Sequence, residues 1–270
     1  MKWACKLFAV ALAGVFSLNL SAQSTADAEL SLGVAAYKQA RFAEAVQHLE
    51  RAISIDPDNQ DARLYLATAY AEQYIPGVGV EDNDRIARRA VEQYKAVLEL
   101  DPNNINAAKG LASLYSQMKK IEEAKIYWRK TVEIDPNDAE PYFSIGVIDW
   151  TVCYQLRMEK RAKLALKPDD RLNSNIPRQK KVCDDLKAKN TSSIEEGIES
   201  LNKAIELRPD YDDAMAYMNL MYREKADLEC DDPAAQAADL KTADAWVDKT
   251  MAARKAKAEG SSKAAAPNPQ

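Results

Sequence analysis

Four thirteen-residue stretches decide how this chain reads: Ala45–Pro57, AVQHLERAISIDP; Ala90–Pro102, AVEQYKAVLELDP; Ala124–Pro136, AKIYWRKTVEIDP; and Gly197–Pro209, GIESLNKAIELRP. In each, a small residue stands four positions before a large apolar one: Ala45/Leu49, Ala90/Tyr94, Ala124/Trp128 and Gly197/Leu201. An amphipathic run then meets Asp56-Pro57, Asp101-Pro102, Asp135-Pro136 or the altered copy Arg208-Pro209. Proline lacks an N–H and clashes with the preceding turn, so it cannot extend a helix. The Asp and Asn residues that follow it cap the next helix. Each pair therefore marks a helix end and a turn into a new helix.

The prolines are spaced 45, 34 and 73 residues apart, which are one 34-residue period and two copies enlarged by 11 and 39. A second set of columns lies upstream of each stretch. Leu32-Gly33, Leu66-Ala67, Leu111-Ala112 and Ile145-Gly146 share one helix face, and Tyr70, Tyr115 and Tyr222 follow three residues after the small position of their own repeats. A Gly or Ala on a first helix lets the second approach closely, and large residues fill the groove between hairpins. With its 34-residue period, this pattern resembles the tetratricopeptide repeat family. The resemblance implies an all-α, right-handed α-solenoid of about five hairpins over residues 26–257, in units of about 26–59, 60–104, 105–138, 139–211 and 212–257. Each hairpin buries its apolar face only against a neighbour. The departures are Ala36 and Asp149 where other units carry tyrosine, and Asn219 where they carry a small residue. A long last helix, about Pro233–Lys257, reads as a C-terminal capping helix, followed by a disordered tail at 258–270.

Composition agrees with a soluble globular protein: 270 residues, 47% apolar and 29% charged, with a net charge of −5. An acidic balance argues against nucleic acid as a partner. Residues 1–22 differ from the rest. Lys2 and Lys6 precede the apolar run Leu7–Leu20, and Ser21-Ala22 supply a small-residue cleavage site. That three-part pattern predicts a secretory signal cut near Ala22-Gln23 and an exported protein, periplasmic or secreted. The apolar run has 14 residues, short of the roughly 20 that a membrane span needs. Export leaves Cys153, Cys183 and Cys230 in a disulfide-permitting compartment. Cys183–Cys230, Cys153–Cys183 and buried thiols all fit the spacing.

The enlargements at about 74–84 and 153–190 both fall between the first and second helices of a hairpin, so one rim of a solenoid is elaborated. Insertions on one face often mark a binding face. From Arg157 to Lys189 there are 11 basic residues against five acids, a net +6, in a chain whose exported remainder is strongly acidic. Here the first helix is expected to continue to about Leu166. A short helix follows over about Gln179–Lys189, and Ser192 with Glu195 forms a capping box opening the next helix. Arg157, Lys160, Arg161, Lys163, Lys180 and Lys181 would form a projecting basic arm.

In this register the first helices present Leu30, Val34, Tyr37, Leu64, Thr68, Ala71, Lys109, Ser113, Ser116, Phe143, Val147, Trp150, Ala216, Leu220 and Arg223 to a concave groove. Tyr37, Lys109, Phe143, Val147, Trp150, Leu220 and Arg223 are the candidate partner-binding residues, since aromatic and arginine side chains anchor interfaces. Phe143, Val147 and Trp150 could equally pack between adjacent first helices. Asp149 could tether Arg157 or Lys203, or be solvated by a local rotation, the reading adopted here. Within the family resemblance, a Lys/Asn cluster that grips a terminal carboxylate is matched only by Lys109 and Asn106, so that activity is not carried over. Gly77-Val78-Gly79 lacks the strand and Lys-Ser/Thr of a phosphate loop. Asp56-Pro57-Asp58 lacks the sixth-position glycine of a calcium loop. His48 reads as a surface residue. No nucleophile set, metal ligand set or cofactor motif is present. The sequence thus predicts a non-enzymatic scaffold that binds a peptide or helix of another protein in its groove. The alternative is an envelope assembly or structural factor that lays its basic arm on an anionic surface.

Overall fold

The Asp-Pro turns are built as their chemistry dictates. Asp101 and Asp135 each turn a carboxylate oxygen back onto the N–H two residues on, Asn103 and Asn137, both at 3.0 Å. Asn59, Asn104 and Asp138 then cap the following helices, accepting from Ala62, Ala107 and Glu140 N–H at 2.9–3.0 Å. The computed structural model describes residues 25–167 and 170–264, with side chains to 259. The expected leader 1–22 with its cleavage site, and residues 265–270 of the expected tail, lie outside the described residues. All regular structure among the described residues is helical: α1 (25–38), α2 (Phe42–Ile55), α3 (Gln60–Ala71), α4 (Glu81–Leu100), α5 (Ile105–Gln117), α6 (Ile121–Ile134), α7 (Ala139–Lys163), α8 (Pro177–Leu207), α9 (Asp212–Leu228) and α10 (Pro233–Ala264). The fold is an all-α tetratricopeptide-type solenoid class, with its helices paired as successive hairpins. The chain divides into two units, Met1–Ile134 and Asp135–Gln270.

In the first unit the small-against-large rule is literal. A Cβ added to Gly33 would stand 2.6 Å from Leu49 Cγ, and one added to Gly110 would stand 2.4 Å from Tyr94 Cζ. Leu49, Leu66, Tyr70, Leu114 and the alanines between them form the core of this unit. Burial raises the Tyr94 phenol to about 12, and its hydroxyl donates to Thr68 Oγ1 at 3.2 Å. His48 is not a free surface histidine. Its Nδ1 lies 2.7 Å from Glu29 Oε2, linking α2 to α1, and Arg51 joins the same carboxylate at 2.9 Å. The enlarged connection between α3 and α4 is pinned by one buried side chain. Asn83 accepts from Ile75 N–H at 2.8 Å and donates to the carbonyls of Ile75 at 2.9 Å and Val78 at 2.8 Å.

In the second unit the expected break at Ser192–Glu195 does not occur. α8 is one helix of 31 residues, about 46 Å long at 1.5 Å per residue. Its buried positions Cys183, Leu186, Asn190, Ile194, Gly197, Leu201 and Ala204 follow one another at intervals of three and four. The apolar stripe keeps phase through the Thr-Ser-Ser segment, and burial overrides the local capping pattern. Asn190 donates its side-chain amide to Cys153 O at 3.3 Å, joining α8 to α7. A Cβ on Gly146 would stand 2.5 Å from Leu201 Cγ. Asp149 is buried at 2% exposed, not solvated. It sits opposite Gly197, whose missing side chain leaves it room: a Cβ there would come 3.1 Å from Asp149 Cβ. The end of α10 is also longer than expected, passing Lys257 and continuing to Ala264. Lys257 and Arg254 instead hold Asp212 at the start of α9.

Candidate functional site

Among the first helices of the first unit, Tyr37, Leu64 and Thr68 share a cavity of about 410 Å³ with Asp61, Tyr65 and Asn106. Its aromatic wall is set by ring contacts of Tyr37 with Phe42 and with Tyr65, both at 5.7 Å between centroids. Burial raises the Tyr37 phenol above its ordinary range, helped by Glu72. Lys109 is half-buried on α5, three residues beyond Asn106. Thr68, Ala71 and Ser113 line a neighbouring cavity of about 220 Å³ under the Tyr94 ring.

Phe143, Val147, Trp150, Leu220 and Arg223 all lie in the second unit. Phe143 on α7 meets Tyr211 at 4.9 Å and Tyr217 at 5.6 Å, and Trp150 meets Tyr217 at 5.4 Å and Tyr154 at 5.1 Å. Phe143, Trp150, Tyr211 and Tyr217 pack α7 against α9 and remain half-buried, so part of each is committed to the fold and part is open, while Tyr154 is exposed. Val147 and Leu220 are half-buried, and Arg223 is exposed, donating to Asp244 at 2.8 Å and Asn219 at 2.9 Å.

The basic insertion does not stand off as an arm. Arg157 grips Glu224 with two bonds of 2.8 Å and reaches Asp227 at 2.9 Å. Arg161 is 1% exposed and contacts the same Asp227 oxygen at 3.3 Å. Lys160 pairs with Asp185, Lys163 with Glu159, and Lys180 with Asp184 and Asp231. Lys181 is exposed and makes no ion pair among the described residues. A Cys183–Cys230 disulfide ties α8 to the α9–α10 connection, and Cys153 stays a buried thiol. Beside the acids of the insertion itself, Glu224, Asp227, Glu229 and Asp231 neutralise it from 42 to 67 residues downstream, so local charge counting overstated its surface potential. Burial pushes both the Glu224 and Asp227 carboxyls up, against the pull of Arg157.

Sequence reasoning missed one further hollow, a cavity of about 950 Å³ between α8 and α9. Tyr142, Ile198 and Tyr222 give it apolar wall, and Glu195 and Glu199 line its side. Its only sequence signal was Ile198, an apolar residue outside the α8 stripe.

Comparison with known proteins agrees with this architecture. Residues 36–73 and 87–144 match the tetratricopeptide repeat family. A crystal structure of MamA protein superposes with a TM-score of 0.60 at 15% identity, over 87% of this chain and 94% of that one. MamA 41-end from Desulfovibrio magneticus RS-1 gives 0.58 at 17% identity, over 86% and 96%. At such identities the likeness concerns the fold alone. A 57-residue stretch is 37% identical to Protein CTR9 homolog of Arabidopsis thaliana, covering 21% of this chain and only 5% of that protein's length. From the Asp-Pro turns, the glycine-gated hairpin contacts and these matches together, the chain carries tetratricopeptide repeats over residues 36–73 and 87–144 and keeps the solenoid type of fold beyond them.

Proposed function

We propose that this protein is a non-enzymatic scaffold working outside the cytoplasm, which holds a peptide or helix of another protein against the first helices of its hairpins. The tetratricopeptide fold supports protein–protein interaction. The observation that carries the finer reading is the set of half-open aromatic rings on first helices: Tyr37 and Tyr65 in one unit, Phe143, Trp150 and Tyr217 in the other. Aromatic groups fixed by packing on one side bind with little further loss of side-chain freedom. Export is supported by the pattern of residues 1–22 and by the Cys183–Cys230 pair, which suits an oxidising compartment. No helix among the described residues is long and apolar enough to cross a membrane. The alternative of a basic arm on an anionic surface is weakened by the internal pairing of Arg157, Lys160, Arg161 and Lys163.

The test is cross-linking capture from the native host, fractionated into cytoplasm and envelope. Trp150→Ala and Tyr37→Ala should each reduce recovery of the same partner, while Lys181→Glu should not. Undiminished capture by both aromatic variants would reject the groove. Intact mass beginning at Met1 in the recovered protein would reject export.

A further inference from the structure

Four arginines converge on a cavity of about 450 Å³ in the second unit: Arg157 and Arg161 from α7, Arg171 from the α7–α8 connection and Arg223 from α9. Met158 and Leu240 give it an apolar wall. The volume falls within the roughly 300–1,000 Å³ of ligand pockets. The acids present do not balance this set. Glu224 is occupied at both oxygens by Arg157. Asp227 offers one oxygen to Arg157 and Arg161 together. Asp244 is taken by Arg223. Arg171 makes no ion pair among the described residues, so four guanidiniums face three carboxylates. The buried Nε of Arg161, a side chain 2% exposed, has no hydrogen-bond partner among those residues.

We propose that this pocket binds a small tetrahedral oxyanion, a phosphate or phosphate monoester group, held by Arg161 and Arg171. Four guanidiniums facing three carboxylates leave positive charge uncompensated, and an oxyanion supplies several acceptors at once. The planar guanidinium fork matches phosphate geometry, which a lysine cluster would not. The apolar wall takes the carbon side of an ester. The pocket borders the proposed protein-binding face, since Arg223 lines it and its Tyr154 stacks on Trp150, but its oxyanion chemistry does not depend on that reading.

The experiment titrates the full protein with inorganic phosphate and with sulfate by calorimetry, at ionic strength held constant with chloride, and follows arginine Nε–H resonances. The expected result is one saturable site and a shift of a buried arginine Nε–H signal. Arg171→Ala should melt like the parent protein in chloride and bind phosphate about tenfold more weakly, the loss of one charge-assisted hydrogen bond. Arg178→Ala, an exposed arginine of the same segment outside the pocket, should bind as the parent does. Absence of saturable binding, equal weakening by Arg178→Ala, or no effect of Arg171→Ala would each overturn the proposal. So would capture of phosphatidylglycerol vesicles without binding of inorganic phosphate, which would place the charge on a surface instead of in a pocket.

Discussion

Removing the Cys183–Cys230 bridge should lower stability by an amount set by the loop it closes. The two cysteines lie 47 positions apart with Cα atoms 6.4 Å from each other. The loop contains most of α8, from Cys183 to Leu207, and all of α9, so the cross-link restricts a large part of the unfolded second unit. In the chain-entropy description, a loop of this length contributes about 4 kcal/mol at 25 °C. Cys183 is buried at 2% exposed beside Leu186 and Leu228, so Cys183→Ala/Cys230→Ala adds the loss of one packed sulfur. Urea unfolding followed by circular dichroism, with and without dithiothreitol, should show a lower midpoint on reduction. The double variant should unfold slightly below the reduced protein, by the packed sulfur it lacks, and ignore the reductant. Under denaturing, non-reducing conditions, protein lacking residues 1–22 should titrate one thiol, Cys153, and three after reduction. Three thiols before reduction, or coincident midpoints with and without reductant, would refute the reasoning.

Arg157→Ala leaves Glu224 buried at 2% exposed without its bidentate partner, and should cost about 3–5 kcal/mol in urea unfolding. Replacing Arg157 and Glu224 together by Met and Leu should recover most of that loss. Gly146→Ala drives a Cβ to 2.5 Å from Leu201, which is fully buried, and should cost about 1–3 kcal/mol. Gly79→Ala has open space around it and should stay within about 0.5 kcal/mol of the parent. The Glu224 and Asp227 carboxyls are raised by burial, so the folded state binds their protons more tightly than the unfolded state does. Their stabilising contribution is complete below the unfolded values near about 4 and is lost as pH rises through the raised ones. Melting temperature should therefore rise as pH falls from 7 toward about 5. Glu224→Gln/Asp227→Asn should flatten that rise. Below about 4 the lowered carboxyls Asp185 and Asp212 lose their ion pairs and stability should fall.

The hairpins were legible because their signals are local and repeated. Asp101-Pro102-Asn103-Asn104 holds the stop, the turn and the next cap within four residues, and Gly146/Leu201 repeats the logic of Gly33/Leu49. The insertion misled for the opposite reason. Ser192 and Glu195 satisfy a capping pattern, yet the Cys183-to-Ala204 stripe runs straight through them and was readable as one continuous face. Arg157 and Arg161 looked like surface charge because Glu224 and Asp227 lie 66 to 67 residues away. The candidate aromatics fell on first helices as the register requires, but spacing alone could not show that Tyr217 would hold both Phe143 and Trp150. Arg157, Arg161 and Arg223 were each legible as candidates, but the sequence could not show that they share one pocket with Arg171, since it draws on three helices and a connection.

The connection between α3 and α4 is fastened by Asn83 through three hydrogen bonds, and it turns Ile75, Val78 and Val80 outward. A loop of that length without a fastener would sample many shapes and would have to settle into one on meeting a partner. Here the settling happens during folding. Whatever touches those three apolar side chains meets a finished template, so its encounter is a fitting of surfaces and not a mutual search. A change at Asn83, a residue buried behind those three side chains, would unfasten the template without touching its surface.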